Sequence, residues 1–265
     1  MYSGFKLELN EYNKHTYKFL YNQQLYDIGL ELYEDDRSQI EEDLGKFALS
    51  QDTLDGDAIM SNWFPKIQAD IFISHSHADE KYVISLAGFL YKKFGLKSFI
   101  DSCVWGYSVE LLKEIDNLFC STGRPGSYSY EKRNYSTSHV HMMLSISLMK
   151  MIDQTECLFF IDTPNSLNTE ELIEATNSPW IFAEIALSQS LRRKSKEAHR
   201  RRFIKSIRES IESFSNIAYR LNTFHLKEIT EDIFEQWCEK YDGTKHGLDV
   251  LYNILPPEDN NGRIL

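Results

Sequence analysis

Apolar and polar side chains alternate with two different periods along the first part of the chain. Residues 4–9, GFKLEL, alternate with a period of two and predict a short strand. Apolar residues then recur at helical spacing and predict an amphipathic helix: Tyr17, Leu20, Tyr21, Leu25, Ile28 and Leu32. An acidic stretch (31–43), a second short helix (40–49) and a turn-rich tract (51–62) follow. We therefore predict that residues 1–66 form a helical N-terminal extension.

From residue 67 onwards, short apolar runs alternate with helical patterns. The run ADIFIS (69–74) predicts a strand, residues 80–94 predict a helix with one apolar face, and LKSFI (96–100) predicts a second strand. Strand, helix and strand within about 30 residues make a βαβ unit. Such a unit implies a parallel sheet that is covered by helices.

The rest of the chain continues the same architecture. A polar insertion rich in Gly and Tyr (121–138) precedes a predicted helix (139–152) and the strand ECLFFI (156–161). The later segments are mostly helical in pattern, with one further short strand predicted. The predicted fold class is thus α/β: a parallel-sheet domain over 67–255 with a helical C-terminal part, preceded by the helical extension and followed by a tail, 256–265.

Composition and charge narrow the functional classes. The chain has 265 residues, of which 42% are hydrophobic, and a net charge of −11, which argues against binding to nucleic acid or to an anionic membrane. Its start lacks the pattern of a signal peptide, and no apolar run approaches the roughly 18 residues that span a bilayer. The four cysteines show no CxxC spacing. We expect a cytoplasmic protein with reduced thiols.

Polar side chains follow the three clearest predicted strands at the point where each strand ends. Ser74, Asp101 and Asp162 occupy these positions. The loops that follow add further candidate binding residues: His75, Ser76 and Trp105. Ligands of open parallel sheets bind outside the carboxyl ends of the strands, so we expect a cleft at this edge.

One carboxylate stands within an apolar run, NSPWIFAEIALSQ. Ser178 is a natural N-cap and Pro179 suits the first helical position, so a helix is predicted to begin here. Trp180 and Glu184 lie four residues apart on one face of that helix, which places Glu184 at the rim of the cleft. Glu184 is either a surface residue of an amphipathic helix or a catalytic group. The flanking apolar residues argue against full exposure.

A single acid in a cleft suits one kind of glycosidic bond. Most glycosidases need two carboxyl groups because an alkoxide leaving group must be protonated. The nicotinamide of NAD+ is already a pyridinium and departs as a neutral molecule without an acid. One carboxylate can therefore stabilise, or capture, the cation that develops on the ribose.

The absence of several sequence motifs argues against other types of reaction. The chain has no GxGxxG, GxxxxGK[ST] or GxSxG motif, which disfavours hydride transfer, phosphoryl transfer and serine hydrolysis. The histidine pairs His75/His77 and His139/His141 are two residues apart and have no third ligand at a suitable spacing, so we predict no metal site. The basic run 191–208 is either a solvated helix face or a surface that docks an acidic partner.

Four segments, taken in order, resemble a bacterial Toll/interleukin-1 receptor (TIR) domain: DIFISHSHADE, FIDSCVW, ECLFFIDTPNS and SPWIFAEI. The resemblance covers residues 67–225. In it, DSCVWGY lies where TIR domains carry the BB loop, and Trp180 with Glu184 matches the W-x-x-x-E motif of the enzymatic members. The insertion 121–138 and the N-terminal extension depart from the family pattern.

The resemblance implies a flavodoxin-like sheet and an enzyme that releases nicotinamide from NAD+, yielding ADP-ribose or a cyclic isomer, often as an anti-phage signal. It implies that Glu184 is catalytic. We expect Trp105 and Trp180 to shape the pocket and Ser74, His75, Ser76 and Asp101 to hold ribose or phosphate. NAD+ would be the substrate, with no further cofactor. Self-association, and a downstream effector or nucleotide sensor, are the partners that the resemblance implies.

Two alternatives stay open. A TIR domain can be a protein–protein interaction module without catalysis, although such a module has no need of the acid. A nucleoside-processing transferase would use the same single carboxylate on a different N-glycoside.

Overall fold

The computed structural model describes residues 1–9, 17, 22–37, 44–50, 53–105, 108–124, 126–167, 175–176, 178–191, 193–200, 219–220 and 223–257. Its strands are β1 (Ser3–Glu8), β2 (Ala48–Ser50), β3 (Thr53–Leu54), β4 (Ile71–Ser74), β5 (Ser98–Phe99), β6 (Cys157–Asp162), β7 (Ala175–Thr176), β8 (Tyr219–Arg220) and β9 (Lys227–Ile229). Its α-helices are α1 (Gln23–Arg37), α2 (Gly56–Trp63), α3 (Glu80–Phe94), α4 (Asp101–Trp105), α5 (Ser108–Ile115), α6 (Tyr130–Gln154), α7 (Pro179–Ser190), α8 (Lys196–Arg200), α9 (Glu231–Lys240) and α10 (Gly247–Ile254).

A five-stranded sheet forms the centre of the fold, in the order β5-β4-β6-β1-β9, and every pairing in it is parallel. Helices surround this sheet, so the predicted α/β class is confirmed. Numbered along the chain, the order is 3-2-4-1-5. Flavodoxin-like sheets have the order 2-1-3-4-5, and only the three strands β5, β4 and β6 follow that pattern here.

The first strand lies inside the sheet. β1 pairs with β6 on one side and β9 on the other, and Phe5 and Leu7 are completely buried. The short strand predicted at 4–9 is therefore confirmed, but its assignment to a separate extension is corrected. A two-residue alternation shows that a strand exists, but it does not show which partner strands it finds.

Helix α1 is also part of the main body, because it packs backbone to backbone against α3. A Cβ atom on Gly88 would lie 1.9 Å from the Leu25 carbonyl oxygen, and one on Gly29 would lie 2.2 Å from the Ile84 carbonyl oxygen. The Tyr33 hydroxyl of α1 donates to the Ser98 carbonyl of β5 at 3.2 Å. Only glycine permits helices to approach this closely.

Several predicted elements agree with the structure and two differ in their bounds. Helix α3 covers the predicted residues, and Gly95 ends it in the left-handed conformation with φ of 67°. The strand predicted at 96–100 is shorter, and Asp101 begins α4 instead of ending a strand. Helix α6 begins at Tyr130, inside the predicted insertion, with the Ser129 hydroxyl accepting from the Lys132 amide.

The described part of the insertion contacts the turn before it through a buried aspartate, Asp116. Asp116 accepts from the Arg133 Nε at 2.8 Å and from the Ser136 hydroxyl at 2.5 Å. Asp116 belongs to a π-helical turn, 116–120, and is almost fully buried. The Asp116 carboxylate thus gives Arg133 and Ser136 partners in a part of α6 where the apolar pattern predicts no helix.

The described part of the basic run contacts acidic groups of the same chain. Arg200 in α8 donates to both carboxylate oxygens of Glu156 at 2.9 Å, and Lys196 contacts Asp249 at 2.8 Å. Residues 201–218 lie outside the described residues. None of the helices in the described part combines the length and the apolar character that a membrane span requires.

Candidate active site

The candidate site lies where the strand order changes direction. From β4 the chain passes through α3 to β5 on one side, and then returns through α6 to β6 on the other side of β4. The crevice at the carboxyl ends of two such strands is the usual ligand site of an open α/β sheet. Ser74 ends β4 at this point, paired in register with Phe160 of β6.

Helix α7 places Glu184 in this region. The helix begins as predicted, with the Ser178 hydroxyl accepting from the Ile181 amide at 3.3 Å and proline in the first turn. Glu184 is only 2% exposed, between the buried side chains of Ile181 and Ile185. Its Oε2 has no hydrogen-bond partner in the described part of the chain. Glu184 is therefore a buried carboxyl group rather than a surface residue.

The surroundings of Glu184 favour its neutral form. Burial raises the pKa of the Glu184 carboxyl well above its usual range, and the nearby Asp101 carboxylate raises it further. The Ser74 hydroxyl opposes this rise in pKa, although it makes no hydrogen bond of ordinary length and angle. Such an acid ionises readily only when positive charge arrives beside it.

A second polar cluster adjoins Glu184 through Asp101. The Nε2 atom of His75 lies 3.2 Å from the Ser102 hydroxyl, and its Nδ1 atom lies 4.0 Å from the Asp101 carboxylate. The His75 side chain is 1% exposed. Burial lowers its pKa, while Asp101 acts in the opposite direction. The imidazole is therefore favoured in its neutral form, which can accept a proton.

A buried aspartate joins the loops that follow β4 and β6. Asp79 accepts from the Thr163 hydroxyl at 2.5 Å and from the Asn165 amide at 2.8 Å. These contacts hold the two loops that border the crevice. Sequence reasoning missed all three residues and also Ser102. Their positions in the segments that follow the predicted strands were the available signal.

The remaining predicted site residues have different surroundings. Trp180 is half-buried and its ring lies edge-on to His141, with centroids 5.6 Å apart. Ser76 precedes a short 3-10 turn after β4. Trp105 ends α4, and its side chain lies outside the described residues. The structure thus brings together Ser74, His75, Asp101 and Glu184, and it leaves the roles of the two tryptophans as predictions.

Asp162, at the end of β6, forms an ion pair with a residue that sequence reasoning did not consider. Its carboxylate lies 3.3 Å from the Nζ atom of Lys6 in β1. This pairing depends on the insertion of β1 into the sheet beside β6.

Within the described residues, no group of three or more His, Cys, Asp or Glu side chains is arranged to hold a metal ion. All four cysteines are free thiols. The chemistry that these side chains offer is electrostatic stabilisation of a cation by Glu184 and proton acceptance by His75.

No protein-family model, characterised protein or solved structure matches the chain. The resemblance to TIR domains therefore stays a prediction that rests on the quoted motifs.

Proposed function

We propose that this protein is an NAD+ nucleosidase that cleaves the nicotinamide–ribose bond, either as a glycohydrolase or as an ADP-ribosyl cyclase. The observation that carries the proposal is the buried Glu184 carboxyl, with one oxygen unpartnered, beside Ser74 and Asp101 at the switch point of the sheet. A buried acid with a strongly raised pKa and a specific charged neighbour is typical of catalytic sites.

The charge of the substrate explains how such an acid can work. The nicotinamide ring of NAD+ carries a positive charge, which passes to the ribose as the glycosidic bond breaks. A cation next to Glu184 favours its ionised form and offsets the effect of burial. The resulting carboxylate stabilises the ribosyl cation from a buried position, where electrostatic interactions are strong. Nicotinamide leaves as a neutral molecule, so no second acid is required.

The proposal also includes the properties that the resemblance to TIR domains implies. We infer a TIR-like domain whose three strands β5, β4 and β6 form the flavodoxin-like part of the sheet, and a cytoplasmic role in bacterial anti-phage signalling. The substrate is NAD+, without a further cofactor. Self-association would be supported by exposed apolar side chains around α5 and α6: Val109, Leu118, Tyr130 and Tyr135.

The test is the release of nicotinamide by the purified chain, at several protein concentrations, with Glu184→Gln as the variant. We expect turnover to fall by about 10²–10³-fold or more, because the charge that stabilises the cation is lost. Glu239→Gln, at an exposed position, is the matched control and should retain turnover. The mass of the co-product distinguishes hydrolysis from cyclisation.

Two results would contradict the proposal. If wild-type protein releases no nicotinamide at any concentration, the interaction module becomes the better description. If nicotinamide is released equally by the Glu184→Gln variant, Glu184 is a structural residue. Cleavage of other N-glycosides in preference to NAD+ would favour the transferase alternative.

A further inference from the structure

Three side chains, one of which is the Asp101 that acts on Glu184, are arranged in a row that the proposed cleavage step does not use. Ser102 Oγ lies 3.2 Å from His75 Nε2, and His75 Nδ1 lies 4.0 Å from Asp101 Oδ1. Asp101 and Ser102 are the first two residues of α4, and His75 directly follows β4. The row therefore connects the segment after β4 with the segment after β5.

The charges around His75 favour one arrangement of its protons. His75 Nδ1 is buried without a hydrogen-bond partner of ordinary geometry in the described part of the chain, and the Asp101 carboxylate lies 4.0 Å from it. The Ile73 carbonyl also acts on the imidazole as an acceptor. A proton on Nδ1 is therefore favoured, which leaves the Nε2 lone pair for the Ser102 hydroxyl. The other ionisable groups that act on His75 are His77 and Glu80.

The 4.0 Å separation between His75 and Asp101 is longer than a hydrogen bond, but catalytic contacts are often long in the unliganded enzyme and tighten around substrate. Movement of the Asp101 side chain alone can shorten this distance, because that side chain is 18% exposed. The His75 side chain is 1% exposed and is held by its surroundings. The histidine is thus the fixed member of the row.

We propose that Ser102, His75 and Asp101 form a proton relay that activates the water molecule that captures the ribosyl group. This inference rests on the proposed function and assigns His75 as the general base. It replaces the binding role that the sequence predicted for His75 with a catalytic one. Asp101 is a positioning residue that orients the imidazole and stabilises its protonated form, in the manner of other acid–histidine pairs.

The step balances in atoms and charge. The bond between ribose C1′ and the nicotinamide nitrogen breaks, and its electron pair leaves with nicotinamide. Water forms the new C1′–O bond, and its proton passes through the Ser102 hydroxyl to His75 Nε2. The imidazolium then releases this proton to solvent, so NAD+ and water give ADP-ribose, nicotinamide and one proton.

A pyridine base provides a sharp test, because its ring nitrogen attacks C1′ without losing a proton. The purified full chain is incubated with NAD+ in the presence and absence of 3-acetylpyridine, and hydrolysis and base exchange are measured separately. His75→Gln should lower hydrolysis by about 10²–10⁴-fold, the usual contribution of a general base. Exchange should be retained, so the ratio of the two rates changes. Ser102→Ala should change the ratio in the same direction.

His139→Gln is the matched control, since His139 is an exposed histidine of α6 whose ring contacts Tyr135. It should leave the ratio of hydrolysis to exchange unchanged. Hydrolysis and exchange that fall together in His75→Gln would overturn the relay, and so would unchanged hydrolysis or a wild-type enzyme that makes only a cyclic product. Wild-type protein that neither hydrolyses nor exchanges would instead refute the proposed function, and the relay with it.

Nitrogen NMR of the His75 imidazole tests the relay without any turnover. We expect a neutral ring protonated at Nδ1 at neutral pH, and a change in its nitrogen shifts in Asp101→Asn. A ring protonated at Nε2 would overturn the proposal, because that nitrogen could not accept the proton from Ser102.

Discussion

The buried position of the Glu184 carboxyl lowers the free energy of unfolding of the protein. Its carboxyl is buried with one oxygen unpartnered, within a helix whose neighbouring side chains are apolar. A buried polar group without a partner costs about 1–3 kcal/mol. Such a cost is typical of functional sites, where the group is held ready for an interaction that only the ligand provides.

The pH dependence of stability should report the raised pKa of the Glu184 carboxyl. The pKa of the Glu184 carboxyl in the folded protein is raised above its ordinary value of 4.5. The stability that the folded protein gains from the protonated carboxyl is therefore fully present below pH 4.5, and it is lost as the pH rises through the folded pKa. Glu184→Gln does not titrate. We therefore expect its stability relative to wild type to rise by about 1.4 kcal/mol for each pH unit above 4.5, until the pH reaches the folded pKa of Glu184, and to stay constant below pH 4.5.

Denaturant unfolding of both proteins across this pH range measures the effect, with Glu239→Gln as the control for loss of an exposed charge. A difference that does not vary with pH would show that Glu184 ionises normally in the folded protein.

At the scale of elements, the close contact of α1 with α3 decides how the N-terminal part of the chain is held. Gly88→Ala should lower the free energy of unfolding by about 1–3 kcal/mol or more, since its Cβ would lie 1.9 Å from the Leu25 carbonyl oxygen. Gly56→Ala is the matched control, because its Cβ would meet only the flexible end of Met143 at 3.3 Å. There, alanine should be neutral or stabilising.

Chemical denaturation of the two variants checks this prediction. A Gly88→Ala protein as stable as wild type would show that α1 and α3 do not pack as closely as the structure indicates.

At the scale of the whole molecule, β1 makes the predicted boundary at residue 66 unsuitable for dividing the chain. A fragment that begins at residue 67 lacks the strand between β6 and β9 and should not fold. In the full chain, Phe5→Ala should cost about 3–5 kcal/mol, because this side chain is completely buried. Tyr130→Ala, at a site that is 79% exposed, should cost far less.

Circular dichroism and thermal melts of the fragment and of both variants measure this outcome. A cooperative melt of the fragment would show that the sheet tolerates the loss of β1 and that the extension is separable.

The local pattern of the chain was enough to predict the strands β4 and β6, helix α3 with its terminal glycine, and the start of α7. These features depend on neighbours in the sequence: side-chain periodicity, a capping hydroxyl and a proline at the first turn. The same reasoning placed Ser74, Asp101 and Glu184 near one edge, since parallel strands end together.

Only the tertiary structure decided which strands are neighbours, that β1 enters the sheet, and that His75 and Ser102 meet. These contacts join residues that are distant in the sequence, and many pairings are compatible with one pattern of apolar positions. The burial of Glu184 is of the same kind. A helix that is apolar on nearly every side does not show which face meets the core, so the packing of α7 decided that this carboxyl lies away from water.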